Sequence, residues 1–195
     1  TETTLAALEA DKHVICEKPG AMDVAGFDQM VAKAAQRNRR LLIVMNQLYN
    51  PVNQQIRRLV GNGTLGRVFL LAETRFGRHD RDYRDPRAWR TRLGAAGGGV
   101  LIDGGYHMIY KHLYWLCDMG QPKWVSGDAT QLAIDADGRP VPEQGEDFVS
   151  YAVGFDMPLR IASSHAWTLA QDPARPHQCV LAGTSATLEI SDDPS

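Results

Sequence analysis

The sequence predicts an α/β protein in two parts: a fragment of a parallel sheet over residues 1–50, and a predominantly antiparallel, open-faced sheet with helices on one face over residues 51–195. For the first part, amphipathic segments alternate with short apolar ones, which is typical of parallel α/β sheets. For the second part, strand-like segments follow one another beyond Pro122 with turn-rich links, which favours antiparallel pairing.

The first part contains two predicted helices and two predicted strands. The segments "TLAALEADK" and "DVAGFDQMVAKAAQRNRR" have helical spacing of apolar residues, and the second carries basic residues near its end, where they suit the helix dipole. "HVICEKP" predicts a short strand, and the uninterrupted apolar run "LLIVMNQ" predicts a strand buried on both faces. Two strands are too few to form a stable sheet alone.

The second part begins with a predicted helix and strand and then returns to a helix. "VNQQIRRLVGNGTLG" predicts a helix that ends at Gly61, and "RVFLLAETRFG" predicts a strand. A further helix is expected from about Gly104 to Cys117. The later predicted strands are "KWVSGDATQLAI", "DFVSYAVGFD", "LRIASSHAWTL" and "HQCVLAGTSATLEIS".

Composition and charge exclude several classes of partner. The chain has 195 residues, 44% of them hydrophobic and 23% charged, which is usual for a globular protein. A net charge of -2 gives no basic surface for nucleic acid or anionic lipid. No apolar run approaches the roughly 18 residues of a membrane span. We therefore expect neither a nucleic-acid partner nor a membrane partner.

The number and spacing of the cysteines indicate the redox state of the compartment in which the protein works. Cys16, Cys117 and Cys179 lie far apart in the sequence and form no C-x-x-C pair. An odd number of cysteines without metal-binding spacing favours free thiols in a reducing compartment, so we expect a cytoplasmic protein.

Seven arginines lie between Arg75 and Arg92, interleaved with acidic residues. This pattern is typical of a salt-bridged surface loop. Anion binding is the alternative interpretation.

The glycine-rich stretch "GAAGGGVLIDGGYHMI" raises two possibilities: a loop that cradles a phosphate, or a backbone that makes room for chemistry by Asp103 and His107. A dinucleotide loop needs G-x-G-x-x-G directly after a strand and at the start of a helix. These glycines have neither that spacing nor that position, and the chain has no G-K-[ST] motif. The phosphate-loop interpretation is therefore rejected.

Asp103 and His107 form the better candidate. Asp103 is a suitable N-cap for a helix that begins at Gly104, and His107 follows it by four residues, so both side chains project from the same side of the first turn. The positive helix end would then stabilise the Asp anion and disfavour the imidazolium, which suits proton transfer. Gly104 and Gly105 would leave that end open to a substrate. A cap with a surface histidine is an equally good interpretation of these residues alone.

A metal site is a weaker alternative. Asp103 and His107 could provide two ligands, with His112 or His165 as a third. However, His112 lies five residues past His107, on another face of the helix, and no H-E-x-x-H or C-x-x-C motif is present. We expect no metal.

A second unusual patch is "CEKPG", in which Glu17 and Lys18 follow the first predicted strand. Open α/β sheets bind their ligands at the carboxyl ends of their strands. Pro19 is a candidate for a cis peptide bond. The alternative is a surface ion pair at a strand end.

Together the two patches resemble the glucose–fructose oxidoreductase / inositol dehydrogenase / MocA family of NAD(P)-dependent dehydrogenases. The resemblance rests on "ALEADKHVICEKP" followed by "GGGVLIDGGYHMI", and lesser matches fall in order at "NGTLGRV", Trp89-Arg90, Glu146 in "EDF" and "VLAGTSATLEI". It implies that residues 1–50 are the C-terminal remnant of a dinucleotide-binding Rossmann domain. Residues 51–195 would be a substrate-binding and oligomerisation domain, incomplete at its C-terminal end.

The resemblance also implies a function: hydride transfer between a sugar- or polyol-like hydroxyl and NAD or NADP. Lys18, Asp103 and His107 would form the catalytic group, with His107 taking the hydroxyl proton, Lys18 polarising the oxygen and Asp103 orienting the group. Glu17 and Lys18 would border the nicotinamide. The open sheet face, through "SYAVGFD" and "SSHAWTL", would form a homo-oligomer such as a dimer.

One departure from the family pattern affects the cofactor. The family's G-x-G-x-x-G half and its ribose-binding residue are absent from these 195 residues. We therefore expect the chain by itself to bind NAD(P) weakly or not at all, which leaves its activity in question. The alternative function is a non-enzymatic binding or assembly module built on the second sheet, which an apolar open face would cause to dimerise.

Overall fold

The computed structural model describes residues 1–77, 88–116, 119–134, 137–167 and 177–191. The chain divides into two compact units, Thr1–Tyr49 and Asn50–Ser195. Each unit contains its own sheet.

The first unit alternates helices and strands as predicted. Its elements are α1 (Glu2–Glu9), β1 (Val14–Cys16), α2 (Val24–Gln36) and β2 (Leu41–Ile43), followed by a 3-10 turn at Asn46–Tyr49. The two strands pair in parallel, with Val14 opposite Leu41. Asp23 begins α2 as its N-cap, since its carboxylate accepts a 2.7 Å hydrogen bond from the Gly26 N–H. The parallel pairing that the sequence predicts is confirmed.

One expectation for this unit was wrong: β2 is not buried on both faces. Leu42 is 50% exposed, and its partner in the parallel register, Ile15, is 73% exposed. Leu8 of α1 and Met30 of α2 are fully buried, and these helices contact the strands. Within the first unit, α1 and α2 cover only one face, so the apolar side chains of β2 on the other face stay exposed.

The second unit is larger and contains a six-stranded sheet. Its elements are α3 (Pro51–Gly61), β3 (Val68–Phe76), α4 (Leu93–Ala96), a π-helical turn (Leu101–Gly105), α5 (Tyr106–Trp115), β4 (Pro122–Thr130), β5 (Phe148–Phe155), β6 (Arg160–Ala166), β7 (Gln178–Gly183) and β8 (Thr187–Ser191). The strand order is β4-β5-β6-β3-β7-β8, and β3 and β6 run parallel while the other neighbours are antiparallel. The predominantly antiparallel sheet is therefore confirmed.

The core of this unit lies between the helices and one face of the sheet. Ile56 of α3 and Trp115 of α5 belong to the same buried cluster as Leu71 of β3, Ile161 of β6 and Leu181 of β7. The opposite face carries small side chains that stay partly or fully accessible: Ala72, Thr74, Ser150, Ala152, Ala162 and Ser164. The sheet is thus open-faced, as predicted, but its open face is a mixture of alanine and hydroxyl side chains rather than a large apolar surface.

Two expectations fall partly outside the described residues. Residues 78–87, which make up most of the arginine-rich stretch, are not described, so its interpretation as a salt-bridged loop stays a prediction. Cys117 also lies outside them, whereas Cys16 and Cys179 are free thiols. None of the helices that the structure describes is both long and apolar enough to cross a membrane.

Candidate active site

The helical segment that carries Asp103 and His107 is capped by a residue from elsewhere in the chain. The Glu146 carboxylate accepts hydrogen bonds from the Gly99 N–H at 2.9 Å and the Leu101 N–H at 3.0 Å. The Val100 N–H donates to the Glu146 backbone carbonyl at 2.7 Å. Glu146 therefore accepts hydrogen bonds from three N–H groups at the start of this segment. An ordinary N-cap residue plays the same role but binds fewer of them.

The expectation that Asp103 is the N-cap was wrong. Its N–H donates to the Gly99 carbonyl at 3.1 Å, so Asp103 already lies inside the helical segment. The helix starts near Val100 because Glu146 supplies the capping oxygens there. The positive end of the helix consequently faces the Glu146 carboxylate, and not Asp103 and His107 as the sequence suggested.

Asp103 lies on a π-helical turn, Leu101–Gly105, and His107 lies in the first turn of α5 that continues from it. Both side chains are half-buried. Four residues, about one helical turn, separate them along this continuous helical segment. That the two side chains project from the same side stays a prediction. Single π-helical turns inside α-helices occur frequently at functional sites, which favours a functional interpretation of this pair over a simple cap.

The glycines of this stretch allow close packing. A Cβ atom on Gly99 would lie 1.8 Å from the Glu146 backbone oxygen, and one on Gly104 would lie 2.3 Å from Cε1 of His165. The expectation that Gly104 leaves the helix start open to a substrate was therefore wrong, because the buried ring of His165 on β6 occupies that space. These glycines bring the helix close to the sheet and to the segment before β5.

The patch with Glu17 and Lys18 lies in the first unit, directly after β1. Glu17 is exposed and Lys18 is half-buried, and the Lys18–Pro19 peptide bond is cis, as the sequence suggested. Because β1 and β2 are parallel, both residues lie at the carboxyl edge of the sheet, where such sheets bind ligands. That Glu17 and Lys18 border the nicotinamide stays a prediction. That Lys18 acts together with Asp103 and His107 stays a prediction.

A buried carboxylate that the sequence interpretation missed lies beneath α5. Glu73 of β3 accepts a 2.6 Å hydrogen bond from Lys111 Nζ, and its two oxygens also accept from Nε2 of His112 and Nε2 of His177. All four residues are buried. Burial alone would raise the pKa of Glu73, but the hydrogen bonds from His112 and His177 and the nearby positive charge outweigh it and hold the pKa far below its usual range.

The tautomer of His112 follows from its surroundings. Burial lowers the pKa of His112, and the bond to Glu73 offsets this only in part, so the neutral ring is favoured. Its buried Nδ1 has no hydrogen-bond partner among the described residues. A neutral ring with the proton on Nε2 satisfies both observations, because Nε2 donates to Glu73 and Nδ1 carries no hydrogen.

The position of His112 also bears on the metal alternative. Its ring is directed to Glu73 in the core, so it does not serve as a third ligand with Asp103 and His107. Within the part of the chain that the structure describes, no cluster of three or more His, Cys, Asp or Glu residues could hold a metal ion.

Glu73, Glu146 and His165 differ in how far the sequence alone could have indicated their structural roles. Glu73 stands at an inward position of the mainly apolar strand "VFLLAETRF", and a charge at such a position requires a partner. Glu146 stands in the "EDF" match, but its partners Gly99 and Leu101 lie 47 and 45 residues away, which no local pattern reveals. His165 was considered only as a metal ligand, and its contact with Gly104 depends on how the helix crosses β6.

Comparison with known proteins identifies the family. Residues 53–189 match the family model of the GFO/IDH/MocA C-terminal domain, and residues 1–45 match that of the oxidoreductase family with an NAD-binding Rossmann fold. The chain belongs to the Gfo/Idh/MocA oxidoreductase family, as the two sequence patches indicated.

Individual relatives agree with this assignment. The chain is 30% identical to levoglucosan dehydrogenase from Pseudarthrobacter phenanthrenivorans over 80% of its own length and 39% of that protein. It is 36% identical to D-glucoside 3-dehydrogenase from Escherichia coli over 59% of its length and 32% of that protein. An inositol dehydrogenase homologue from Azotobacter vinelandii, solved with NAD+, has the same fold, with a TM-score of 0.82 at 21% identity, covering 98% of this chain and 48% of the other. The chain thus spans 32–48% of the length of these three relatives.

Proposed function

We propose that this chain is the catalytic portion of an NAD(P)-dependent oxidoreductase that acts on a hydroxyl group of a sugar- or polyol-like substrate. Family membership supports this proposal, as do the relatives named levoglucosan dehydrogenase and D-glucoside 3-dehydrogenase. The observation that carries it is the capped π-helical turn, which places Asp103 and His107 within one turn inside the matched family domain.

In this proposal His107 accepts the proton of the substrate hydroxyl, because a half-buried imidazole is the side chain best suited to proton transfer near neutral pH. Asp103, one turn earlier, orients the group and stabilises the imidazolium. Lys18 polarises and positions the substrate oxygen, and Glu17 and Lys18 border the nicotinamide. When bound, NAD or NADP supplies the hydride acceptor for the substrate carbon.

We also propose that the protein works in the cytoplasm as a homo-oligomer, with the open face of the six-stranded sheet as its interface. Support comes from the small side chains of this face on β5 and β6, which let another sheet approach closely. Light scattering is expected to give a dimer or larger species, and Ser164→Arg is expected to dissociate it. A monomeric wild-type protein would contradict the proposed interface.

The activity is tested by following NAD+ or NADP+ reduction in the protein as its own gene expresses it, with a panel of sugars and polyols. His107→Asn is expected to lower kcat by about 10²- to 10⁴-fold, the usual contribution of a general base. His13→Asn, which changes an exposed histidine, is the matched control and should retain full activity. A folded protein that turns over none of these substrates would contradict the proposal and favour the non-enzymatic alternative.

A further inference from the structure

The buried carboxylate of Glu73 joins the middle of the six-stranded sheet to the helix that carries His107. Glu73 lies on β3 and is 2% exposed. Its donors come from two other elements: Lys111 and His112 from α5, and His177 from the residue that precedes β7. A single carboxylate therefore connects three parts of the second unit.

Such an arrangement tolerates little displacement of α5. A buried carboxylate is costly unless hydrogen bonds and opposite charge compensate for its lost hydration. If α5 rotated or slid, Lys111 and His112 would move away together and leave the buried charge of Glu73 with His177 as its one remaining partner among those described above. The pairing thus specifies one rotation and one height of α5 on the sheet, in addition to the packing of Met108 and Trp115.

The hydrogen bonds of Glu73 to Lys111, His112 and His177, here called the Glu73 clamp, lie close in sequence to the candidate catalytic pair. Lys111 lies four residues after His107, which itself lies four residues after Asp103, so the three follow one another at successive turns. At the other end of the segment, Glu146 fixes the N–H groups of Gly99 and Leu101. The π-helical turn with Asp103 lies between these two fixed points.

We propose that Glu73 is a positioning residue for His107: by binding Lys111 and His112 it fixes the rotation of α5 and thereby the direction in which the His107 imidazole meets a substrate. The catalytic meaning of this inference rests on the proposed function. The structural part of the inference is independent of the proposed function, because it concerns only how rigidly residues 99–112 are held in the second unit.

The groups around Glu73 support a permanent charge on it. Lys111 and His112 face it from α5 and His177 from the start of β7, while Tyr151 of β5 and Cys179 of β7 lie close enough to feel its field. Burial and the charge of Glu73 raise the pKa of Cys179 to about 12, and burial raises the pKa of Tyr151 to about 12, so both stay neutral.

The test compares Glu73→Gln with Leu159→Ala, which truncates a buried apolar side chain in the turn between β5 and β6. Each variant is measured at the denaturant concentration that gives both the same free energy of unfolding. Amide hydrogen exchange is measured by mass spectrometry for peptides that cover residues 99–112. The exchange of these amides is expected to be at least about tenfold faster in Glu73→Gln than in the control. In the variant the charged hydrogen bonds of Glu73 are already lost, so local opening of the segment costs less free energy. Equal exchange in the two variants would overturn the proposal.

Two further measurements keep the test decisive. Lys111→Met removes one donor to Glu73 while keeping the helix and much of the side-chain volume. If Glu73→Gln does not fold, Lys111→Met replaces it, and faster amide exchange of residues 99–112 is again expected. The His107 ring resonances, followed by NMR, are expected to shift or broaden in Glu73→Gln and stay unchanged in Leu159→Ala. Unchanged His107 resonances in a folded Glu73→Gln would also overturn the proposal.

Turnover separates this inference from the proposed function. In an active protein, Glu73→Gln is expected to lower kcat about tenfold or more with little change in KM, since substrate still binds but His107 is misdirected. If the wild-type protein is inactive but amide exchange of residues 99–112 is still faster in Glu73→Gln, the proposed function is contradicted and the structural role of Glu73 is supported. An active wild-type protein with unchanged kcat in Glu73→Gln would overturn the positioning role alone.

Discussion

Glu146 Oε2 accepts a 2.9 Å hydrogen bond from the backbone N–H of Gly99, although the two residues are 47 positions apart in the chain. This contact makes the segment before β5 the cap of the helix that leads to His107. The helix start is therefore determined by tertiary structure, and the site depends on the antiparallel sheet being in place.

Removal of this cap is expected to destabilise the second unit. Glu146→Ala should lower the free energy of unfolding by about 1–3 kcal/mol, the range for a lost cap with charge-assisted hydrogen bonds. Urea unfolding measures the effect. Glu189→Ala, at an exposed position on β8, is the matched control and should change stability by less than about 0.5 kcal/mol. A Glu146→Ala variant as stable as this control would show that the cap contributes nothing.

The close approach at Gly99 gives a sharper substitution test. Gly99→Ala would place a Cβ atom 1.8 Å from the Glu146 backbone oxygen, and neither backbone can yield without breaking the cap. We expect a loss of more than about 3 kcal/mol. Gly94→Ala, where nothing lies within 4 Å of the added atom, is the control and should be neutral or stabilising by up to about 1 kcal/mol. Similar unfolding midpoints for the two variants would contradict this packing.

The sequence could predict the parts of this fold that depend on local pattern. Helical spacing and alternating apolar runs located α1 to α3 and β1 to β3, and two short motifs indicated Lys18, Asp103 and His107 as candidate site residues. The start of the Asp103 helix was misplaced because Asp103 satisfies the local rule for an N-cap, while its competitor Glu146 lies 45 residues beyond Leu101. Burial of β2 was overestimated because an apolar run does not reveal how many elements cover it.

The Glu73 cluster makes stability depend on pH. The pKa of Glu73 is lowered in the folded state, so its contribution is fully present above the unfolded value of about 4.3 and is lost as the pH falls below it. The pKa of His112 is also lowered, so protonation favours the unfolded chain as the pH falls through about 6.5. Both groups act in the same direction.

Unfolding free energy is therefore expected to decrease from pH 7 to pH 4, and the decrease below about pH 5 should be smaller in Glu73→Gln, which has no carboxylate to protonate. Urea unfolding across this pH range measures both slopes. Identical slopes for wild type and Glu73→Gln below pH 5 would mean that Glu73 is not held ionised by its neighbours.

Cysteine reactivity reports on the same cluster. Burial and the Glu73 charge raise the pKa of Cys179 to about 12, so only about 10⁻⁴ of this thiol is ionised at pH 8. Iodoacetamide followed by peptide mass spectrometry is expected to label Cys16, which is partly accessible, and to label Cys179 only after denaturation. Rapid labelling of Cys179 in the native protein would contradict its burial between the sheet and α5.

A double-mutant cycle on NAD(P)+ reduction tests most directly the proposal that Lys18 and His107 act on the same substrate hydroxyl. Lys18→Met, His107→Asn and the double variant are compared by kcat/KM in the protein as its gene expresses it, with Lys12→Met as the control for loss of a nearby lysine. The double variant is expected to lose little more activity than the more damaging single variant, because groups that act as a unit are not additive. Losses that add in full, or single variants as active as Lys12→Met, would contradict a shared catalytic role.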